Sequence, residues 1–406
     1  MNIGIVTTWY PSGGGSVARA YVGALQAKHR VFVYARGGQP GSERKWDAPN
    51  VTWAPYHPCS TGIHRRHFER WAKRLQIEAV LFNEQHHWVG VVLAKQLGLL
   101  TGAYVDYYTQ ATVPFFDLYD FLICNTRRHH GVFAQHPQCC YCPWGTRTGV
   151  YRPLERREPG PLRFLISAGW DGHYARNAPY MDRRGAGLAM RAFGLVKGDC
   201  RLIVLSQDSL DQCPEEWRSL LGTEPRIEFR AGTFDPTPYG VGDLYLYPSR
   251  LDGIGLTLPE ALSSGLPAIT TDAPPMSEFV RHGVNGLLVP VREHRGRPDG
   301  YYWPESLCDE QALAAACQSY VDAPEMVERH GARARELAEQ DLDWERNAAF
   351  LPGWIAAQRR RSLDQPAWRA MAERALRYDH EHSPTPMRRL RRGAGAALKQ
   401  LLGMEQ

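Results

Sequence analysis

Residues 251–267 read LDGIGLTLPEALSSGLP. Gly253 and Gly255 flank Ile254, and a short run with helical spacing follows. One acid, Asp252, stands before the glycines, and another, Glu260, stands inside the run. Glycine reaches backbone conformations closed to other residues, so the chain turns here. Proline is tolerated in a helix's first turn and disruptive later, so Pro259 places the helix start just after Gly255. Gly265 and Pro267 stop the helix. The N–H groups of Gly255, Leu256 and Thr257 then point out of the helix start and, with the helix dipole, suit a diphosphate. Glu260, about one turn in, is placed for a ribose diol, and Asp252, on the loop, for hydroxyls beyond the phosphates. A plain strand–turn–helix with a solvated acid explains the same residues on local physics alone.

Working outward, DLYLYPS (243–249) reads as the strand that feeds this turn. Short β-branched or apolar runs at 3–7, 31–34, 51–53, 79–82, 103–105 and 121–124 alternate with helical spacing, as at 17–28 and 88–96. After YRPLERREPGPL (151–162), rich in Pro, Gly and charge, a second series follows at 164–167, 202–205, 227–229, 244–247, 268–271 and 286–289. Such alternation predicts parallel sheets with helices on both faces. The expected fold class is α/β, with two Rossmann-like doubly wound domains facing across a cleft. The expected domains are 1–155 and 160–350, then helices over 351–382 that cross back to the first domain, and a basic tail over 383–406. Residues 306–382 read mostly helical, with helices expected at 344–359 and 366–382.

The 406 residues carry 48 basic and 43 acidic side chains, a net charge of +5. Five cationic side chains against Glu405 lie in the last 24 residues, so the body is nearly neutral. That argues against a nucleic-acid surface. The tail, basic and then apolar, suits an anionic membrane surface as well as it suits a frayed terminus. The opening MNIGIVTTWY reads as a strand rather than a signal peptide, and no apolar run reaches about 18 residues. The expected location is cytoplasmic or peripheral to a membrane. Nine scattered cysteines do not form a disulfide framework. CCYC (139–142) has CxxC spacing but no second knuckle, so small buried residues near a strand are favoured over a zinc site.

The seven residues between Asp252 and Glu260 resemble the acid–seven–acid signature of retaining glycosyltransferases of family 4, which have the GT-B fold. TTDAPPMSEFVRHGVNGLLVP (270–290) and RRGAGLAMRAF (183–193) also resemble that family. GIVTTWYPSGGGSVARAY, CNTRRHH and PWGT resemble its first domain less distinctively. The likeness covers about residues 1–350. It implies transfer of a sugar from a nucleotide-diphosphate sugar to a sugar, lipid-linked or small-molecule acceptor, with retained configuration and no metal or other cofactor. It makes the first domain the acceptor side and the second the nucleotide-sugar side. It gives Glu260 the ribose and Asp252 the donor sugar, with Asp where the family usually has Glu.

The resemblance also assigns the positive charge that stabilises a departing diphosphate. Arg184 stands at the family's lysine position. The family's Gly–Arg after the strand reads Gly169–Trp170 here, so Arg176 or Arg183 takes the missing arginine's place. Gly14 and Gly15, after the first strand, would lie under the donor phosphates. Gly232, in FRAG (229–232), would line the base pocket. Where the family often has a histidine, this chain has Asp106 or Tyr107. Asp106 and Glu84, at strand ends, are the candidates to assist the acceptor hydroxyl. Rival readings are another GT-B activity, such as an epimerase or a phosphorylase, and a catalytically weak nucleotide-sugar-binding subunit.

Overall fold

The alternating apolar runs build two parallel sheets. The computed structural model describes residues 1–37, 44–59, 61–154, 160–169, 182–232, 234, 238–362 and 365–383. Met1–Cys142 and Ala348–Gln406 form one compact unit, and Pro143–Asn347 forms the other.

The first unit holds β1 (Asn2–Thr7), β2 (Arg30–Gly37), β3 (Val51–Tyr56), β4 (Ala79–Phe82), β5 (Leu100–Val105), β6 (Phe121–Cys124) and β7 (Cys139–Tyr141). The strands run in the order β3-β2-β1-β4-β5-β6-β7, and every pairing is parallel. β4 and β6 are buried at every position, which explains their unbroken apolar sequences AVLF and FLIC. Helices α1 (Gly13–Gln26), α2 (Arg65–Arg74), α3 (Val89–Gln96) and α4 (Arg127–Phe133) connect strands. α1 buries Val17, Ala18, Tyr21, Val22 and Leu25, one helical stripe.

The second unit repeats the plan with β8 (Leu162–Gly169), β9 (Cys200–Ser206), β10 (Ile227–Ala231), β11 (Leu244–Tyr247), β12 (Ala268–Thr271) and β13 (Gly286–Val289). Their order is β10-β9-β8-β11-β12-β13, again parallel throughout. Helices α5 (Ala186–Gly194), α6 (Glu215–Thr223) and α7 (Thr257–Ser263) join these strands, and α8 (Glu310–Asp322) and α9 (Glu325–Asp341) follow. Phe164, Ile166, Leu202, Val204, Phe193 and Trp217 form the core between sheet and helices.

Each sheet reverses its strand order once, between β1 and β4 and between β8 and β11. In open α/β sheets such switch points, at the carboxyl ends of the strands, are where ligands bind.

Several local readings change. β7 pairs with β6 from within CCYC, a strand too short to announce itself. Cys139 Sγ lies 3.8 Å from Cys124 Sγ, and all nine cysteines are free thiols. An antiparallel hairpin of β14 (Val291–Arg295) and β15 (Glu305–Cys308) precedes α8, where helix was expected from residue 306. The single helix expected at 344–359 is two, α10 (Trp344–Ala348) and α11 (Leu351–Ala357). Pro352 lies in the first turn of α11, the position where a missing N–H costs least, so the helix restarts there.

The last helix, α12 (Pro366–His382), follows its sequence pattern and packs on the first unit. Its buried Asp379 accepts hydrogen bonds from Trp88 N (2.7 Å) and Val89 N (3.0 Å), capping the start of α3. Most of the basic tail, 384–406, lies outside the described residues. Among the described residues no helix is long and apolar enough to cross a membrane.

Candidate active site

In the second unit the chemistry gathers where β8 and β11 end. Residues 182–185 lead into α5, and Asp182 accepts hydrogen bonds from Ala186 N (2.7 Å) and Gly187 N (2.8 Å). Gly185 has φ +74°, and a Cβ there would stand 2.3 Å from Pro248 O. Only glycine lets this loop press so closely on the end of β11. Arg250 N then donates to Arg183 O (2.8 Å), locking the two loops together.

This approach brings Arg183 to Asp252. Arg183 Nη1 lies 3.0 Å from Asp252 Oδ1, and also donates to Leu251 O (3.2 Å). Tyr247, the last residue of β11, donates its hydroxyl to Asp252 Oδ2. Arg184 lies against the end of β8, where its Nη1 donates to Ser167 O (3.3 Å). Glu260 accepts from the Tyr239 hydroxyl at 2.6 Å.

The charges differ in kind. Burial pushes the Asp252 carboxyl up, but Arg183, Arg184 and the Tyr247 hydroxyl outweigh it and hold it below the ordinary carboxylate value. Burial also raises Glu260; hydrogen bonds from Tyr239 and Tyr151 and the charges of Arg184 and Arg147 offset only part of this, so it stays above its ordinary value. Burial opposes the Arg184 charge, yet Tyr247 and Asp252 outweigh burial and the adjoining Arg183, so the guanidinium lies above its usual value. Asp252 is thus a firmly ionised, engaged carboxylate, and Arg184 a permanent cation beside it.

The turn differs from its sequence reading in detail. Gly255 has φ +82° and is the glycine that the turn requires. Gly253 does not have positive φ, and a Cβ there would meet open space. α7 begins at Thr257 after Leu256 as its N-cap and is only seven residues long. Leu258 N already bonds to Gly255 O (3.0 Å). Ile254 is buried in the core. Gly232 follows β10 with φ +145°, and its N–H donates to Ser206 O (2.8 Å). Arg176 and Trp170 lie outside the described residues.

The first unit holds a second polar cluster, at the ends of β1, β2, β4 and β5. Arg36 is 6% exposed and donates to Glu84 O (2.9 Å), Asn83 O (2.9 Å) and Gln85 Oε1 (3.0 Å). Thr8 Oγ1 donates to Glu84 Oε2 (3.2 Å). Glu84 itself has φ +52°, a left-handed backbone rare for a side-chain-bearing residue and frequent at functional sites. Burial and the nearby Glu84 charge raise Asp106 to about 8, against the opposing pull of Arg36. The His86 and Tyr107 rings lie against each other at a tilt, centroids 4.6 Å apart and planes 42° apart.

Gly14 and Gly15, expected under the donor phosphates, form the first turn of α1, which Ser12 caps through Gly15 N (3.1 Å). Their smallness serves the chain itself. A Cβ at Gly14 would lie 2.2 Å from both Glu84 carboxylate oxygens, and one at Gly15 would lie 2.1 Å from Tyr10 O. Sequence reasoning did not single out Arg36, Asp182, Tyr239 or Tyr247. An arginine inside the apolar run RVFVYARG and tyrosines alternating in LYLY were the available signals.

Residues 174–302 match the family model described as glycosyl transferases group 1. Over 125 residues the chain is 29% identical to glycogen synthase of Mycobacterium tuberculosis, covering 30% of this chain and 26% of that protein. The chain thus matches about a quarter of the length of these curated relatives. Among solved structures, sucrose-phosphate synthase from Thermosynechococcus elongatus aligns with TM-score 0.67 at 15% identity, over 88% of this chain and 98% of that one. HepE from Anabaena, in complex with UDP and glucose, aligns with TM-score 0.67 at 15% identity, over 88% and 100%. A glycosyltransferase from Rickettsia africae aligns with TM-score 0.67 at 11% identity, over 88% and 98%. At such identities the likeness shows the fold, and that fold is GT-B, two Rossmann-like domains with parallel sheets.

Proposed function

We propose that the protein is a retaining, metal-independent glycosyltransferase that moves a sugar from a nucleotide-diphosphate sugar to an acceptor hydroxyl. The observation that carries this reading is the constellation of Arg183, Arg184, Asp252 and Glu260 at the β8/β11 switch point. The group 1 glycosyl transferase match over this same segment supports it. Anabaena HepE is described with UDP-glucose and a pneumococcal O-GlcNAc transferase with UDP and GlcNAc, so a uridine diphosphate sugar is the donor we put first.

In this reading Glu260 accepts hydrogen bonds from the ribose, and Asp252 orients the donor sugar. The anomeric carbon–phosphate oxygen bond breaks, and Arg184, with Arg183, stabilises charge developing on the departing diphosphate. The acceptor oxygen bonds to the anomeric carbon on the face the diphosphate leaves, and its proton passes to the departing phosphate oxygen. Glu84 and Asp106 bind the acceptor's hydroxyls. The product belongs to polysaccharide, glycolipid or other glycoconjugate synthesis, made in the cytoplasm with the basic tail on an anionic membrane surface.

A second reading, a nucleotide-sugar-binding subunit with little turnover, is favoured by one observation: Asp252 is already engaged on both oxygens, by Arg183 and Tyr247. Calorimetry with a panel of nucleotide-sugars, followed by slow hydrolysis and transfer assays, separates the readings. A single donor bound and turned over supports the enzyme. Binding without turnover in the presence of acceptors supports the subunit. No binding of any nucleotide-sugar overturns both.

A further inference from the structure

The two acids of the site are joined by a file of buried tyrosines. Tyr239 lies in the short 3-10 turn Pro238–Val241, and Tyr245 and Tyr247 face the same way from β11. Tyr239, Tyr245 and Tyr247 are 2%, 0% and 0% exposed. The rings follow one another, Tyr239 to Tyr245 at 5.9 Å edge-on and Tyr245 to Tyr247 at 5.7 Å stacked. At one end the Tyr239 hydroxyl donates to Glu260 Oε2 (2.6 Å), with Thr257 O at 3.3 Å. At the other the Tyr247 hydroxyl donates to Asp252 Oδ2.

Resting on the glycosyltransferase reading above, we infer that Tyr239 and Tyr247 are positioning residues of the donor site, each fixing one acid of the pair, and that the ring file sets the spacing between ribose end and sugar end. A phenol has one proton to give. Burial raises both phenols well above their usual value, as do the adjacent Glu260 for Tyr239 and Asp252 for Tyr247, so both remain donors. A carboxylate so held keeps its rotamer before the ligand arrives, and a preorganised contact loses less entropy on binding. Asp252 shows the effect most clearly. Tyr247 donates to Oδ2 and Arg183 pairs with Oδ1, so the carboxylate is held on both oxygens in one orientation. Tyr239 acts on the nucleotide half of the ligand and Tyr247 on the sugar half, so their removal has different consequences.

The test replaces each tyrosine by phenylalanine in the full chain, which keeps the buried ring and removes only the hydroxyl. The probes are UDP and UDP-glucose, or the nucleotide and sugar that the donor panel selects. Tyr239→Phe is expected to weaken UDP binding about tenfold while leaving kcat at saturating donor within about threefold. Tyr247→Phe is expected to leave UDP affinity within about twofold and to lower kcat about tenfold or more. Tyr247→Phe should also move the acid limb of the kcat profile to higher pH, because a hydrogen bond that favoured the ionised Asp252 is gone. Tyr239→Phe should not move that limb. Unchanged UDP affinity in Tyr239→Phe together with unchanged kcat and acid limb in Tyr247→Phe would overturn the inference, and so would the same defect in both variants. Glu260→Ala separates this from failure of the function itself. If UDP binding survives that change too, the donor site is misassigned; if it is lost while both phenylalanine variants behave as wild type, only the positioning role fails.

Discussion

Arg183 Nη1 lies 3.0 Å from Asp252 Oδ1, across two loops that Gly185 allows to touch. The pair joins the entrance of α5 to the end of β11 and keeps the Asp252 carboxyl below its usual value of 3.8. A carboxyl whose folded value is depressed contributes stability above its unfolded value and loses it as pH falls through the folded one. Replacing Arg183 by Gln should raise that folded value, so acid unfolding followed by circular dichroism should begin at higher pH than in wild type. Superimposable acid transitions would show that the ion pair does not set the Asp252 charge.

Arg184 carries a different prediction, because in the proposed reaction it stabilises the departing diphosphate, whereas Arg183 makes the direct ion pair with Asp252. Arg184→Ala should lower kcat about 10²–10³-fold, the range seen when one preorganised charge-stabilising group is lost. Affinity for uridine, which has no phosphate, should hardly change. Full turnover in the mutant would remove Arg184 from the reaction.

Glu260 should show opposite effects on binding and folding. Glu260→Ala should cost the nucleotide about 1.5–3 kcal/mol, the range for a hydrogen bond to a charged group. Burial raises the Glu260 carboxyl above 4.5, so its contribution to stability is present at acid pH and lost as pH rises through the folded value. At pH 7 the ionised form is therefore a liability to the fold. Glu260→Gln, which can still accept from Tyr239, should melt at higher temperature than wild type at pH 7 while binding UDP more weakly. A lower melting point would contradict the burial argument.

Asp106, raised to about 8 beside Glu84, should titrate within the working range. Its folded value lies above its unfolded 3.8, so its stabilising contribution is complete below about pH 4 and disappears as pH rises through 8. Transfer measured at subsaturating acceptor should show an inflection near pH 8, and Asp106→Asn should abolish it. Persistence of the inflection in the mutant would assign it to another group.

Two neighbouring glycines should behave differently. A Cβ on Gly14 meets the far end of the Glu84 side chain, which can swing aside, whereas a Cβ on Gly15 meets the backbone oxygen of Tyr10. Gly14→Ala should keep a melting point close to wild type but lose transfer to acceptor, with donor hydrolysis retained. Gly15→Ala should melt clearly lower. Equal melting points would mean that the start of α1 adjusts more freely than this packing implies.

The sequence by itself determined the alternation that makes two parallel sheets, because each strand advertises burial through its own apolar run. β4, β6, β11, β12, β13 and α12 have the bounds that their residues suggest. The spacing of Asp252 and Glu260 around Gly255 was likewise local, since one turn and one helix start set it. β7 and the β14–β15 hairpin were not evident, because a three-residue strand and a polar hairpin have too little pattern to separate them from loop. What surrounds the acids was decided only by the tertiary structure. Arg36 meets Glu84 across 48 positions, and Arg183 reaches the Leu251–Asp252 turn across 68. No local periodicity encodes such contacts; they exist because parallel strands bring their carboxyl ends to one edge. Gly14, expected under the donor phosphates, belongs to a helix turn fitted to Glu84. Tyr239 and Tyr247 were not singled out, and their hydroxyls hold Glu260 and Asp252.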